Sequence, residues 1–351
     1  MPDVADQPAK PPRTWRPMVL WSAGILLVLG LAWFVAAVVV TVWQVRATIS
    51  RIDRIDQPIK RLGGPDAAAR KLALYVRMPE RLAPDRVVAV QLLGSCGPKA
   101  VEPLVAALGH RDSGIRNAAT DALVRIGPPA DGPLKQALVQ GVTGARIRAA
   151  EALGQIKAPG TLEALTAALG DTSHLVRSRA AQKLGDLGDP RAVPALITAL
   201  EDSDGLVRYW SVVSLRQFKD VQAVGSLVAA LRDREEIVRL AAVEALGEIR
   251  DARAVDPLTA TLEGQDRKLS QLAAWALGKI SDPRTVEPLI RALRSEDWEL
   301  RSNAAWALGE IGDLKAVEPL TRLVEDQKTD HISRDQARRA LEKIRGEESP
   351  K

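Results

Sequence analysis

The stretch Asp282–Asp313 reads DPRTVEPLIRALRSEDWELRSNAAWALGEIGD. Asp282 is placed to cap a helix, its carboxylate accepting from backbone amides that the first turn leaves unpaired. Val286, Leu289, Ile290 and Leu293 then recur at helical spacing and form one apolar stripe. Pro288 falls in the first turn of that helix, where it removes no intrahelical bond. A polar turn, Ser295 to Glu299, leads to a second helix on which Leu300, Ala304, Ala305, Leu308 and Ile311 share a face. The paired alanines let facing helices approach closely. Gly309 suits either a relaxed helix end or a close backbone contact.

The same pattern recurs along the chain. Leu308 belongs to a series, Leu93, Leu123, Leu153, Leu184, Leu215, Leu246, Leu277, Leu308 and Leu341, with steps of 30, 30, 31, 31, 31, 31, 31 and 33 residues. Leu289 belongs to a second series in step with it, from Leu104 through Leu258 to Leu320. Asp189, Asp220, Asp251 and Asp313 match Asp282, and Pro103, Pro133, Pro257 and Pro319 match Pro288. Self-similarity at this period marks a solenoid, in which each helix pair is stable only when stacked on its neighbours. The expected fold is therefore all-α, an α-solenoid of about nine helix pairs over residues 64–346. It runs from Ala67–Arg77 with Pro84–Ser95 to Val317–Val324 with Ser333–Ile344. An arginine sits seven residues before the second-helix leucine at Arg116, Arg146, Arg177, Arg208, Arg239, Arg301 and Arg334, and Ser270 breaks this series.

The pattern resembles HEAT repeats, most closely the short HEAT-like repeats named after phycobilin lyase subunits. Asp171 to Ala181, Asp202 to Arg208 and Leu184 to Pro194 carry the likeness. The resemblance implies a ladder between adjacent repeats built by Asp171, Asp202 and Asp233 with Arg177, Arg208 and Arg239. It implies architecture rather than a site.

Before the repeats, residues 18–43 form a run of 26 without a charge, MVLWSAGILLVLGLAWFVAAVVVTVW. About 20 apolar residues suffice to cross a bilayer as a helix, and Trp15, Trp21 and Trp43 lie near the ends, where indole rings prefer headgroups. One transmembrane helix at the cell membrane is expected there, after a basic disordered tail over 1–17. Val45, Ile49, Ile52 and Ile55 continue one helical face, so residues 44–63 read as a helical stalk and linker, with a possible homodimer seam. Residues 347–351 read as a disordered tail. The counting of basic residues favours a cytoplasmic C-terminal side, whereas a short basic N-terminal tail resists export. The balance leans slightly to an extracytoplasmic solenoid.

The net charge of +5 would suggest nucleic acid until it is mapped. Residues 1–61 hold eight basic residues against four acidic ones, which leaves only +1 on the remaining 290 residues. A solenoid of that charge offers no overall phosphate-neutralising stripe, so no nucleic-acid partner is expected. Cys96 is the only cysteine and excludes an intrachain disulfide; it reads as a buried small residue. His110, His174 and His331 lie far apart in sequence, near turns, and no metal is expected. The His-Glu pairs of deoxyhypusine hydroxylase, a HEAT-like di-iron enzyme, are absent, because Arg111, Leu175 and Ile332 follow the histidines. No phosphate-binding glycine loop or nucleophile elbow occurs, so neither enzyme activity nor a cofactor is expected.

Trp275 and Trp306 occupy one slot in adjacent repeats, two residues before the repeat leucine. Two residues turn a helix by about 200°, so the rings are expected to leave the buried face and stack, exposed, on the concave side. With Gln271 and Ser302 beside them, and Tyr209 and Trp210 two repeats earlier, they form the candidate anchor for a protein partner. The function expected is that of a membrane-tethered interaction scaffold or adaptor. The alternative is a lyase or chaperone-like subunit of the phycobilin-lyase type.

Overall fold

A computed structural model describes residues 35, 37–45, 60, 62–78 and 85–346. The transmembrane helix expected over 18–43 and the stalk over 44–63 fall largely outside the described residues, and the two tails fall entirely outside them. Residues 37–45 are helical. Among the described residues no helix is long and apolar enough to cross a membrane.

From Pro65 to Arg345 the chain forms eighteen α-helices in nine consecutive pairs, with no strand among the described residues. They divide into two compact units, Met1–Ile126 and Gly127–Lys351. The first unit contains the pairs Pro65–Arg77 with Arg86–Gly94 and Val101–Ala107 with Ser113–Ile126. Its core holds Leu72, Tyr75, Leu93, Leu104, Leu108, Ile115 and Leu123, all fully buried. The second unit contains the remaining seven pairs, ending with Val317–Glu325 and His331–Arg345. There the repeat leucines Leu153, Leu184, Leu215, Leu246, Leu277 and Leu308 are each 0% exposed.

The aspartates cap as the sequence implies, with one refinement. Asp189, Asp220, Asp251, Asp282 and Asp313 each accept from the backbone N–H two residues on, but the element they open is a single 3-10 turn. That turn leads directly into the α-helical first helix, on which Pro288 stands three residues in. The second helices end in a left-handed residue, which the sequence reading did not anticipate. Lys157, Gly188, Lys219, Arg250, Ser281 and Gly312 hold this slot at φ of 53–76°. The two glycines in it were the available signal.

The alanines and glycine that follow the Leu308 pattern work by close approach. A methyl group on Gly309 would stand 2.8 Å from Cα of Ala340, and on Gly278 it would stand 2.7 Å from Cα of Ala307. Gly309 is therefore a contact residue rather than a relaxed helix end: it lies inside helix Trp298–Ile311, which runs on to Ile311.

Within the arginine series, Arg146, Arg177, Arg208 and Arg301 form the ladder between repeats. Arg146 grips Asp171 through Nε and Nη2 at 2.8 and 2.9 Å, Arg177 grips Asp202 at 2.7 and 2.8 Å, and Arg208 grips Asp233 at 2.6 and 2.7 Å. The remaining nitrogen donates to a carbonyl of the turn before its own helix, as from Arg208 to Asp202 at 2.8 Å. Each guanidinium thus ties two turns together. The ladder weakens at Arg239, which reaches only Asp266 at 3.5 Å because Gly264 stands one repeat after Asp233. At the next repeat, Ser270 instead bonds Thr261 and Gly264 carbonyls, and Arg267 and Gln271 hold Asp297.

Candidate binding surface of the second helices

Within the second unit, the second helices present the half-buried and exposed positions that the core leaves over. The expected exposed, stacked indole pair is not what forms. Trp275 and Trp306 are both half-buried. Their rings lie back on the preceding second helix: a methyl on Gly247 would meet Cζ3 of Trp275 at 3.0 Å, and one on Gly278 would meet Cζ3 of Trp306 at 2.7 Å. The physical reason is the glycine after each repeat leucine, which leaves a shallow bare patch that a neighbouring indole covers. The one ring pair among the described residues is Tyr209 with Trp210, edge to face at 5.3 Å and 68°.

One side of Trp275 remains open. It lines a groove of about 570 Å³ with Arg216, Glu244, Glu248 and Leu272, and Lys279 lies 5.5 Å from its ring centroid. The charges in this groove are already paired, Arg216 with Glu244 and Lys219 with Glu248 at 2.9 Å. The bond from Lys219 holds the Glu248 carboxyl below its ordinary value. Gln271 and Ser302 line a second groove of about 450 Å³ beside Trp298, and Leu272 and Asn303 border both grooves. The Asn303 amide donates to the Gln271 carbonyl at 2.9 Å, which fixes the wall they share. Trp306, Tyr209 and Trp210 line neither of these two grooves. The structure therefore brings Trp275, Gln271 and Ser302 into adjoining grooves, which the other three predicted residues do not line.

The sequence reading missed a row of apolar residues on the same helices. Leu175, Leu206 and Ile237 are 44%, 42% and 54% exposed. Each is nine residues before its repeat leucine, hence seven before the tryptophan slot and on the same helical face. The signal was present at a 31-residue step, but in the repeat quoted first this slot is Glu299, the end of the polar turn.

Little at these positions supports chemistry. Among the described residues no group of three or more His, Cys, Asp or Glu is placed to hold a metal ion. Cys96 is 5% exposed, and burial pushes its thiol up to about 11, far from the reactive thiolate range.

The repeat geometry agrees with comparison to known proteins. The family of HEAT repeats matches residues 133–216, 194–268 and 255–342. The chain is a HEAT-repeat protein. Among solved structures, the Escherichia coli protein YibA is similar over 69% of this chain and 92% of its own, at 20% identity and a TM-score of 0.53. A complex of Kap95p with RanGDP is similar over 87% of this chain and 50% of the matched chain, at 16% identity and a TM-score of 0.56. The CpcE–CpcF phycocyanin lyase of Nostoc sp. PCC7120 is similar over 61% and 94%, at 27% identity and a TM-score of 0.40. These likenesses concern the fold. No curated protein sequence matches the chain.

Proposed function

We propose that this HEAT-repeat chain is a membrane-tethered scaffold that holds a protein partner on its second-helix face and performs no chemistry of its own. The observation that carries the reading is the row Leu175, Leu206 and Ile237, three exposed apolar residues in one slot of three successive repeats. Packed helices stand about 8–10 Å apart, so such a row is continuous across repeats, and an exposed apolar row costs solubility unless it is covered. The Tyr209–Trp210 pair, one turn further along the middle helix, supplies the rigid aromatic area that binding sites favour. The open side of Trp275 extends the surface, while its other side serves packing.

The tether rests on the uncharged run over residues 18–43, and the lean towards an extracytoplasmic solenoid rests on its short basic tail. The partner face is tested by the double variant Leu206→Asp/Ile237→Asp. Both side chains are exposed, so the unfolding free energy is expected to stay within about 0.5 kcal/mol of the parent's. Recovery of the partner from membranes is expected to fall by more than tenfold, as for loss of a hot spot worth about 2 kcal/mol. Unchanged recovery by a folded double variant would refute the reading.

A further inference from the structure

The first repeat carries a second surface with a different chemistry. Helix Pro65–Arg77 presents Arg70, Leu74 and Arg77 at steps of four and three, one exposed stripe. Together with Lys99 from the following 3-10 turn, these residues line an open groove of about 600 Å³. Its one acid, Asp66, approaches Lys99 at 3.7 Å, which leaves three cations against one carboxylate. Arg70 and Arg77 have no ion pair among the described residues, in contrast to Arg146, Arg177, Arg208 and Arg301, each of which is gripped by an aspartate of the next repeat.

The place of this groove matters as much as its charge. Gln44 directly follows the uncharged run, and its side-chain oxygen accepts from Nζ of Lys71 at 2.9 Å. Lys71 is the residue after Arg70. Val45 is fully buried, while Val39, Val40 and Trp43 on the same helix are 59%, 52% and 71% exposed. At Gln44 this apolar helix therefore meets helix Pro65–Arg77, while Val39, Val40 and Trp43 just before it stay exposed. If the run spans a bilayer, residue 44 lies at the headgroups and the basic stripe lies beside it.

We propose that the Arg70–Arg77–Lys99 groove binds the phosphate of an anionic phospholipid and holds the first repeat against the leaflet from which the chain emerges. This rests on the membrane-tether reading. Guanidinium groups suit phosphate oxygens through paired donors, Leu74 and Ala73 between the arginines meet the glycerol and upper acyl region, and the groove stays open for a headgroup. Each basic residue close to an anionic leaflet is worth roughly fivefold in association, so three give on the order of a hundredfold.

The test uses the full chain reconstituted into vesicles of phosphatidylcholine, with or without phosphatidylglycerol. An environment-sensitive dye is placed through Leu74→Cys; the native Cys96 stays unlabelled because it is buried with a raised thiol. The expected result is a blue shift of the dye with phosphatidylglycerol only. The shift is lost in the Arg70→Gln/Arg77→Gln/Lys99→Gln variant and, without any substitution, in high salt. Equal emission in both vesicles, or a shift that survives the triple substitution, overturns the lipid site. The same shift produced by inorganic phosphate over phosphatidylcholine makes it a free-anion site and overturns it too. Carbonate washing separates the two readings: a chain that washes off both vesicles refutes the tether, whereas a retained chain with no phosphatidylglycerol response refutes the lipid site alone.

Discussion

Glycine and tryptophan act as a pair on this surface. Gly278 has no room for a side chain, since a Cβ would stand 2.7 Å from both Cα of Ala307 and Cζ3 of Trp306. Gly225, near the start of helix Val224–Ala230, has nothing within 4 Å of the same position. Opposite outcomes are expected. Gly278→Ala should destabilise by about 1–3 kcal/mol through overpacking, and Gly225→Ala should stabilise by about 0.5–1 kcal/mol by limiting the unfolded chain. Chemical unfolding of each variant measures both; a gain from Gly278→Ala would contradict the close approach. The half-burial of Trp275 and Trp306 follows from the same bare glycines, and no reading of helical angle alone could show it. Angle says where a side chain leaves the helix, not that a long indole then bends back over its neighbour.

Between helix pairs, the ladder of arginine and aspartate contributes to the pH response. At Asp330, burial pushes the carboxyl up, but bonds from the Ser333 amide and hydroxyl and from Arg301 outweigh it, leaving the value at about 2. Asp202 and Asp233 are lowered in the same way: burial opposes, and the grip of Arg177 or Arg208 with a backbone amide prevails. An aspartate ordinarily titrates near 3.9. A carboxyl whose folded value is depressed contributes stability that is present above the unfolded value and lost as pH falls through the folded one. Unfolding free energy should therefore decline from about pH 4 towards about pH 2, and less steeply in Asp330→Asn. Identical slopes for parent and variant in urea titrations would contradict this. The ladder was legible, and so was its gap at Ser270; the weakened rung at Arg239 was not, because its cause, Gly264 in the aspartate slot, lies in the turn. The 3-10 entry and the left-handed exits at Lys157, Lys219, Arg250 and Ser281 were not, because those side chains carry no preference for that conformation.

The architecture follows from period and polarity, and this is where sequence was most informative. The leucine series implies about nine pairs, and nine are present among the described residues. The partner surface was less legible because binding slots are free of the core's rule: Leu206, Ile237, Lys268 and Glu299 all satisfy one solvated position. What distinguishes them is their three-dimensional adjacency across repeats. The most direct measurement places a photocrosslinking amino acid in turn at Leu175, Leu206 and Ile237, and at Val221 and Leu314 as controls. The controls are 51% and 74% exposed at the entry to first helices. The account predicts that, in native membranes, the first three positions crosslink to one and the same protein and the controls do not. Crosslinks that are absent from the row, or equally strong at Val221 and Leu314, would contradict it.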